Sequence, residues 1–115
     1  MHLQVDWDTA KQSCKDAGMR LLQINTLAKQ STVQSVINLE KVSDLIWIGL
    51  TDVAEEGRWR WGDGSLALYK NWGTWNENSN QWNCAFIVAI TGNSNSYKWE
   101  TNACWAQRDF ICETY

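Results

Sequence analysis

The chain has 115 residues, which is enough for one domain of ordinary size, so we expect a single domain over residues 1–115. Its net charge is -3, its pI is near 5.0 and its lysines and arginines form no cluster, which argues against nucleic acid as a partner. No apolar run approaches the roughly 20 residues of a membrane span or the apolar stretch of a signal peptide. We therefore expect no membrane insertion, and either a mature form or an excised domain.

The first predicted element is a helix over about residues 7–17. Asp6 is placed to cap it, and Gly18 supplies a residue that can end it. Apolar residues recur at steps of three and four, which predicts one buried face: Trp7, Ala10, Cys14 and Ala17.

A short strand at residues 21–24 and a second helix follow. Asn25 and Thr26 are placed to cap this helix, which we expect to continue to about Glu40. Its predicted inward-facing residues are Leu27, Val33, Val36 and Ile37.

The rest of the chain reads as short strands at residues 45–50, 58–61, 67–72, 84–90, 96–99 and 109–113. Turn residues at 62–64 and 92–95 predict two hairpins. Helices followed by strands predict an α+β fold. Residues 73–83 form a predicted eleven-residue loop without periodicity, and loops of this length are often functional.

Nine tryptophans divide into two groups by their neighbours. Those in or beside apolar patterns are expected in the core: Trp7, Trp47, Trp59, Trp61 and Trp72. Those flanked mainly by polar residues can either pack or stack on a ligand: Trp75, Trp82, Trp99 and Trp105.

The four cysteines indicate the compartment. They contain no C-x-x-C pair, and the single histidine is His2, so a zinc site is not expected. An even count in a small domain favours two disulfides and an oxidising environment, with free buried thiols as the alternative. The count alone leaves three pairings open: Cys14, Cys84, Cys104 and Cys112.

Several short motifs along the chain resemble those of the C-type lectin-like family. They are WIGL (47–50), WRW (59–61), DGS (63–65), NW (71–72) and FICE (110–113), with Asp52, Glu56 and Gly57 between the first two. The spacings of Trp7, Ala10 and Cys14, and of Trp99, Cys104 and Cys112, are also similar to the family pattern. The resemblance spans almost the whole chain and is to the short form of the family. It implies an antiparallel fold with a long ligand loop and disulfides pairing Cys14 with Cys112 and Cys84 with Cys104.

The resemblance also implies where a ligand would bind. In sugar-binding members, an acidic triplet with a central proline in the long loop and a Trp-Asn-Asp triplet hold a calcium ion, which binds two sugar hydroxyls. The second triplet corresponds here to Trp99-Glu100-Thr101, followed by Asn102. Calcium requires six to eight oxygen ligands, several of them carboxylates, so this cage is weaker than the family's.

The loop triplet can be aligned in two ways. One register uses Asn76-Glu77-Asn78, and the preferred one uses Glu77-Asn78-Ser79. Neither contains proline, so the cis peptide bond of the family is not expected, because a non-proline cis bond costs about 2.5–4 kcal/mol. Calcium remains a candidate cofactor with weak or no binding, and its candidate ligands are Glu77, Asn78, Ser79, Glu100 and Thr101.

Two further positions correspond to family metal ligands. Trp82 replaces a glutamate that usually lies two residues before the second cysteine of the pattern. Asp52 and Glu56 match an auxiliary calcium site of some members, with Asn83 as their companion.

Two functions remain open. Exposed indoles and amides suit the C–H faces and hydroxyls of a sugar, which favours a glycan or glycoprotein partner: Trp75, Asn76, Glu77, Asn78, Asn80, Trp82 and Glu100. Alternatively, Trp75 and Trp82 cover a loop core, or the loop contacts a protein ligand without calcium. Catalysis is not expected, because the lone histidine has no predicted nucleophile beside it. We expect a secreted or extracellular protein, with homo-oligomers left open.

Overall fold

The computed structural model describes residues 4–40, 44–73, 82–90, 92 and 96–115. These residues form two helices and seven short strands, which confirms the α+β class. No helix among them is long and apolar enough to cross a membrane. The elements are α1 Trp7–Asp16, β1 Arg20–Leu21, α2 Leu27–Glu40, β2 Leu45–Thr51, β3 Arg60–Trp61, β4 Cys84–Val88, β5 Trp99–Asn102, β6 Asp109–Phe110 and β7 Cys112–Glu113.

Helix α1 begins and ends as the sequence predicts. The Asp6 carboxylate accepts a hydrogen bond from the Thr9 N–H at 2.8 Å, which satisfies a donor of the first turn. At the other end Gly18 adopts a φ of 74°, and the Met19 N–H donates to the Cys14 carbonyl at 2.8 Å. Trp7, Ala10 and Cys14 are buried as expected, whereas Ala17 is exposed because it lies just beyond the last turn.

Helix α2 buries a narrower strip than its apolar pattern predicts. Thr26 caps it by accepting from the Lys29 N–H at 3.1 Å, and Val33 and Ile37 face inward as expected. The predictions for Leu27 and Val36 are wrong, since these side chains are 66% and 47% exposed. The buried strip runs instead through the polar Gln30, which lies one turn before Val33.

The main sheet is organised around β2. Strand β4 pairs with β2 antiparallel along one edge, and β5 pairs with β4, so the strand order is β3-β2-β4-β5. The other edge of β2 is shared by β3 at Leu50 and Thr51 and by β6 at Ile46 and Trp47. The expectation of antiparallel strands is wrong for β6, which is parallel to β2.

Other strand predictions need correction. Of residues 67–72 only Trp72 forms a bridge, to Trp99 of β5, while the preceding Leu66 bridges to Arg60 of β3, so the predicted strand is reduced to isolated bridges. The strand predicted at 96–99 begins at Trp99, since Tyr97 has a φ of 63°, which an extended strand does not accommodate. Residues 109–113 divide at Ile111 because β6 joins β2 while β7 joins β1. The strands predicted at 21–24, 58–61 and 84–90 are shorter, and the first begins one residue earlier.

The described core has two parts, one on each face of the sheet. One contains Val33 and Ile37 of α2 together with Ile46, Ile48 and Leu50 of β2; the other contains Trp7, Ala10 and Cys14 of α1 with Trp47 and Phe86. Trp99, which the sequence left open, is fully buried and meets the rings of Trp61, Tyr69 and Trp72 edge to face. The sheet is therefore covered by one helix on each side.

Both expected disulfides are present. Cys14 is bonded to Cys112 across 98 residues, and Cys84 is bonded to Cys104 across 20 residues. The first attaches α1 to β7, and the second attaches the start of β4 to the residues after β5. All four thiols are thus consumed, so the alternative of free thiols is wrong.

Candidate functional site

The two ends of the long loop are held on either side of β5. At the start of the loop the Gly73 N–H donates to the Trp99 carbonyl at 2.8 Å, next to a parallel bridge between Trp72 and Trp99. At its end the loop leads into Cys84, which pairs with Asn102 at the far end of β5. The loop therefore leaves from beside the first residue of β5 and returns beside the last one.

The end of the loop is also attached to β2. The Asn83 carbonyl accepts hydrogen bonds from the Thr51 hydroxyl at 2.6 Å and from the Asp52 N–H at 3.1 Å. Trp82, immediately before it, is half-buried. The predicted ligand residues Trp75, Asn76, Glu77, Asn78 and Ser79, and with them Asn80 and both loop registers, lie outside the described residues.

The β5 residues singled out by the sequence differ in their access to solvent. Glu100 is completely buried and Thr101 is 5% exposed. Asn102 is half-buried, and its side-chain oxygen accepts from the Ala103 N–H at 2.7 Å. Because side chains alternate along a strand, Trp99 and Thr101 lie on one face of the sheet and Glu100 and Asn102 on the other. Asn102 is thus the β5 residue of this set that a ligand can reach directly.

Asp52 and Glu56 form a pair of adjacent carboxyl groups. Asp52 is 2% exposed, and its Oδ2 accepts from the Gly57 N–H at 2.9 Å. Its Oδ1 is buried without a donor among the described residues unless Glu56 is protonated. The pKa of Glu56 is raised, chiefly because its protonated form can hydrogen-bond to Asp52 and also because the Asp52 carboxylate repels a second negative charge. No group of three or more His, Cys, Asp or Glu side chains able to hold a metal occurs among the described residues.

A family model described as "Lectin C-type domain" matches residues 3–114 of the chain. The chain belongs to the C-type lectin family. Mouse Lithostathine-1 is 33% identical over 112 residues, covering 96% of this chain and 67% of the mouse protein. C-type lectin lectoxin-Lio1 of Erythrolamprus poecilogyrus is 31% identical over 111 residues, covering 93% and 66%. Rat Lithostathine is 46% identical over 68 residues, covering 59% and 40%, so the chain spans about two thirds or less of these relatives.

Solved C-type lectin structures have the same fold. Human lithostathine superposes with a TM-score of 0.84 at 27% identity, covering 96% of this chain and 77% of that chain. The carbohydrate-recognition domain of the mouse scavenger receptor C-type lectin gives 0.79 at 27% identity, covering 96% and 80%. A calcium-independent type II antifreeze protein gives 0.80 at 25% identity, covering 96% and 79%. The fold inferred from the sequence motifs is therefore confirmed.

In this C-type lectin domain, Asn71 supports the start of the loop through three hydrogen bonds that the sequence did not predict. Its side-chain nitrogen donates to the Tyr97 carbonyl at 3.0 Å, its side-chain oxygen accepts from Lys98 at 3.2 Å, and its carbonyl accepts from the Trp99 N–H at 2.8 Å. Asn71 thereby fixes the residues just before the loop to those just before β5. The sequence feature that could have indicated this role is the position of Asn71, an amide next to Trp72 immediately before the loop.

Proposed function

We propose that this chain is a non-catalytic carbohydrate-binding domain whose site consists of residues 73–83 and the end of β5, residues 99–102. The observation that carries the proposal is that the loop begins beside Trp99 and ends beside Asn102, so that its ends flank β5. The likeness to the mouse carbohydrate-recognition domain supports the same inference. A binding role rather than catalysis is favoured because all four cysteines are in disulfides and the only histidine is at position 2.

The chemistry of the site suits a pyranose ring. Trp82 would stack on a C–H face of the sugar, and the Asn102 amide would hydrogen-bond to its hydroxyls. Glu100 and Thr101, buried beneath, would orient the contacting side chains instead of touching the sugar themselves. The loop would supply the remaining contacts through Trp75, Asn76, Glu77, Asn78 and Ser79.

A glycan array run with and without calcium tests this proposal. We expect the Trp82→Ala variant to lose about fivefold to a hundredfold in glycan affinity, because stacking on a ring is worth on the order of 1–3 kcal/mol. Trp105→Ala is the matched control, since Trp105 is 80% exposed and lies outside the loop. Equal affinities of the two variants, with unchanged melting temperatures, would remove the indole of Trp82 from the site.

A protein ligand is the second candidate. It is favoured by the burial of Glu100 and Thr101, the two residues that the family resemblance aligns with part of the Trp-Asn-Asp triplet of sugar-binding members. An array on which no glycan is retained in either arm would favour this candidate. A matching array of extracellular protein domains, on which Trp82→Ala loses a signal that Trp105→Ala keeps, would then support it.

For calcium, we propose a weak site at Asp52 and Glu56 with Asn83 beside them. Two carboxylates and one amide supply fewer than the six to eight oxygens that calcium takes, so water would complete the shell and affinity would be low. Calcium should raise the melting temperature of the wild type through linkage. The Glu56→Gln variant should lose this rise, whereas Glu55→Gln should keep it, because Glu55 pairs with Arg58 and Arg60. A rise that persists in Glu56→Gln would place calcium elsewhere.

We further propose an extracellular or secreted location, because disulfides persist in oxidising compartments. In that setting residues 1–115 would act as a single binding domain for a glycan or glycoprotein, alone or as a homo-oligomer.

A further inference from the structure

A cavity of about 300 Å³ lies between α1, β1 and the turn at residues 62–64. Trp7 and Leu21 give it apolar walls, and both side chains belong to the core on the α1 side of the sheet. Lys11, Lys15 and Arg20 also line it. None of the residues proposed for the sugar site is among its described lining residues, so this cavity is a separate feature of the domain.

The cavity carries positive charge on an acidic protein. Its described lining includes three cationic side chains and a single carboxylate, Asp63, while the whole chain has a net charge of -3. Arg20 is already paired, since its Nε lies 2.9 Å from Glu113 and its guanidinium 4.0 Å from Asp63. Lys11 and Lys15 form no ion pair with any described residue. Two ammonium groups are therefore available to an incoming anion.

The two lysines lie on one side of α1. Lys11 and Lys15 are one turn apart, a spacing that places both side chains on the same face of the helix. The Lys11 ammonium lies 5.5 Å from the centre of the Trp7 ring. This places an indole and two ammonium groups in one row, at intervals of four residues along the cavity wall.

A charged rim above apolar walls matches an amphipathic ligand. Cavities of about 300 Å³ are at the small end of ligand sites, which suits a molecule with one ring. We propose that this cavity binds a ring compound carrying one sulfate or carboxylate group. The acidic group pairs with Lys11 and Lys15, and the ring lies against the small parts of Trp7 and Leu21 that line the cavity. Acidic sugars and aryl acids share this chemistry.

The test is an NMR titration of backbone amides with glucose 6-sulfate, glucuronate, phenyl sulfate, methyl glucoside and sodium sulfate. We expect the charged ring compounds to shift Lys11, Lys15 and Gly49, and these shifts to be unchanged in the Trp82→Ala variant, because the cavity lining does not include Trp82. Comparing the affinities of the two sugar acids with that of phenyl sulfate shows whether the cavity prefers a sugar ring or an aryl ring. The proposal would be overturned if no shifts occurred at Lys11, Lys15 and Gly49 at ~10 mM ligand, or if sodium sulfate or methyl glucoside shifted these three residues equally. Shifts at Trp82 and Asn102 alone would support the sugar site and contradict the cavity proposal.

Three variants make the assignment specific. Lys11→Gln combined with Lys15→Gln should weaken binding about tenfold, because two partly exposed ion pairs are lost. Lys70→Gln removes an exposed lysine outside the cavity and should change affinity less than about twofold. Asp63→Asn removes the carboxylate of the lining and should strengthen binding. An equal affinity of the double variant and Lys70→Gln, with melting temperatures unchanged, would contradict the role of the lysines.

Discussion

Replacing Gln30 with leucine should destabilise the domain by about 2 kcal/mol, although leucine is a better match for a buried helix face. Gln30 is 1% exposed, and its side-chain oxygen accepts from the Trp99 indole N–H at 3.0 Å. Its side-chain nitrogen donates to the Tyr97 carbonyl at 2.9 Å and to Gln34 at 3.0 Å. A leucine at this position can neither accept from the indole nor donate to the carbonyl.

The magnitude follows from which groups lose their partners. Trp99 is fully buried, so its N–H would be left without an acceptor, at a cost of about 1–3 kcal/mol. The Tyr97 carbonyl still accepts a hydrogen bond from the Asn71 side chain, so losing the one from Gln30 adds little to the cost. For a domain of this size, ~2 kcal/mol corresponds to a fall in melting temperature of roughly 8 °C.

Urea denaturation of Gln30→Leu beside Gln34→Leu measures this effect. Gln34 is half-buried on the same helix and shares one of the hydrogen bonds, so its variant should lose less than about 0.5 kcal/mol. In a Trp99→Phe background the cost of Gln30→Leu should shrink by about 1 kcal/mol or more, because the donor is already gone. Equal costs in both backgrounds would refute the reasoning.

Three further predictions concern stability. Glu113→Gln should cost about 1–3 kcal/mol in urea denaturation, because this carboxylate accepts from Arg20 and Lys29. The pKa of Asp63 is lowered in the folded protein, first by hydrogen bonds from Ser65. The ionised carboxylate therefore stabilises the fold fully above the pKa it has in the unfolded chain, and this stabilisation is lost as the pH falls through the lower pKa of the folded state. The stability difference between wild type and Asp63→Asn should shrink below roughly pH 4. Removing the 20-residue disulfide should cost about 3 kcal/mol, less than the longer one.

Each of these predictions has an outcome that contradicts it. A Glu113→Gln variant within about 0.5 kcal/mol of the wild type would show that the ion pairs of β7 contribute no stability. A stability difference for Asp63→Asn that is constant from neutral to acid pH would contradict the lowered pKa. For the disulfides, paired Cys→Ala variants are compared by melting temperature, and a larger loss for the shorter loop would contradict the chain-entropy argument.

The sequence predicted which segments lie together, and it did not predict how exposed their residues are. The resemblance predicts a site at the long loop and the residues after Trp99, and the structure shows that the loop ends flank β5. The burial of Glu100 could not be predicted, because a glutamate among polar neighbours is expected to be exposed to solvent. The hydrogen bonds of Asn71 were missed for a related reason, since its partners lie 26 and more residues further along the chain.

The sequence by itself determined the features that depend on neighbouring residues. The Asp6 cap, the helix end at Gly18 and the buried face of α1 follow from interactions within a few residues, which the local pattern contains. Tertiary structure decided which surfaces are covered. It exposed Leu27, buried Gln30 and placed Trp99 at the centre of the core, because the partners of these residues are distant in sequence. Capping is local chemistry, whereas burial depends on what packs against each side chain.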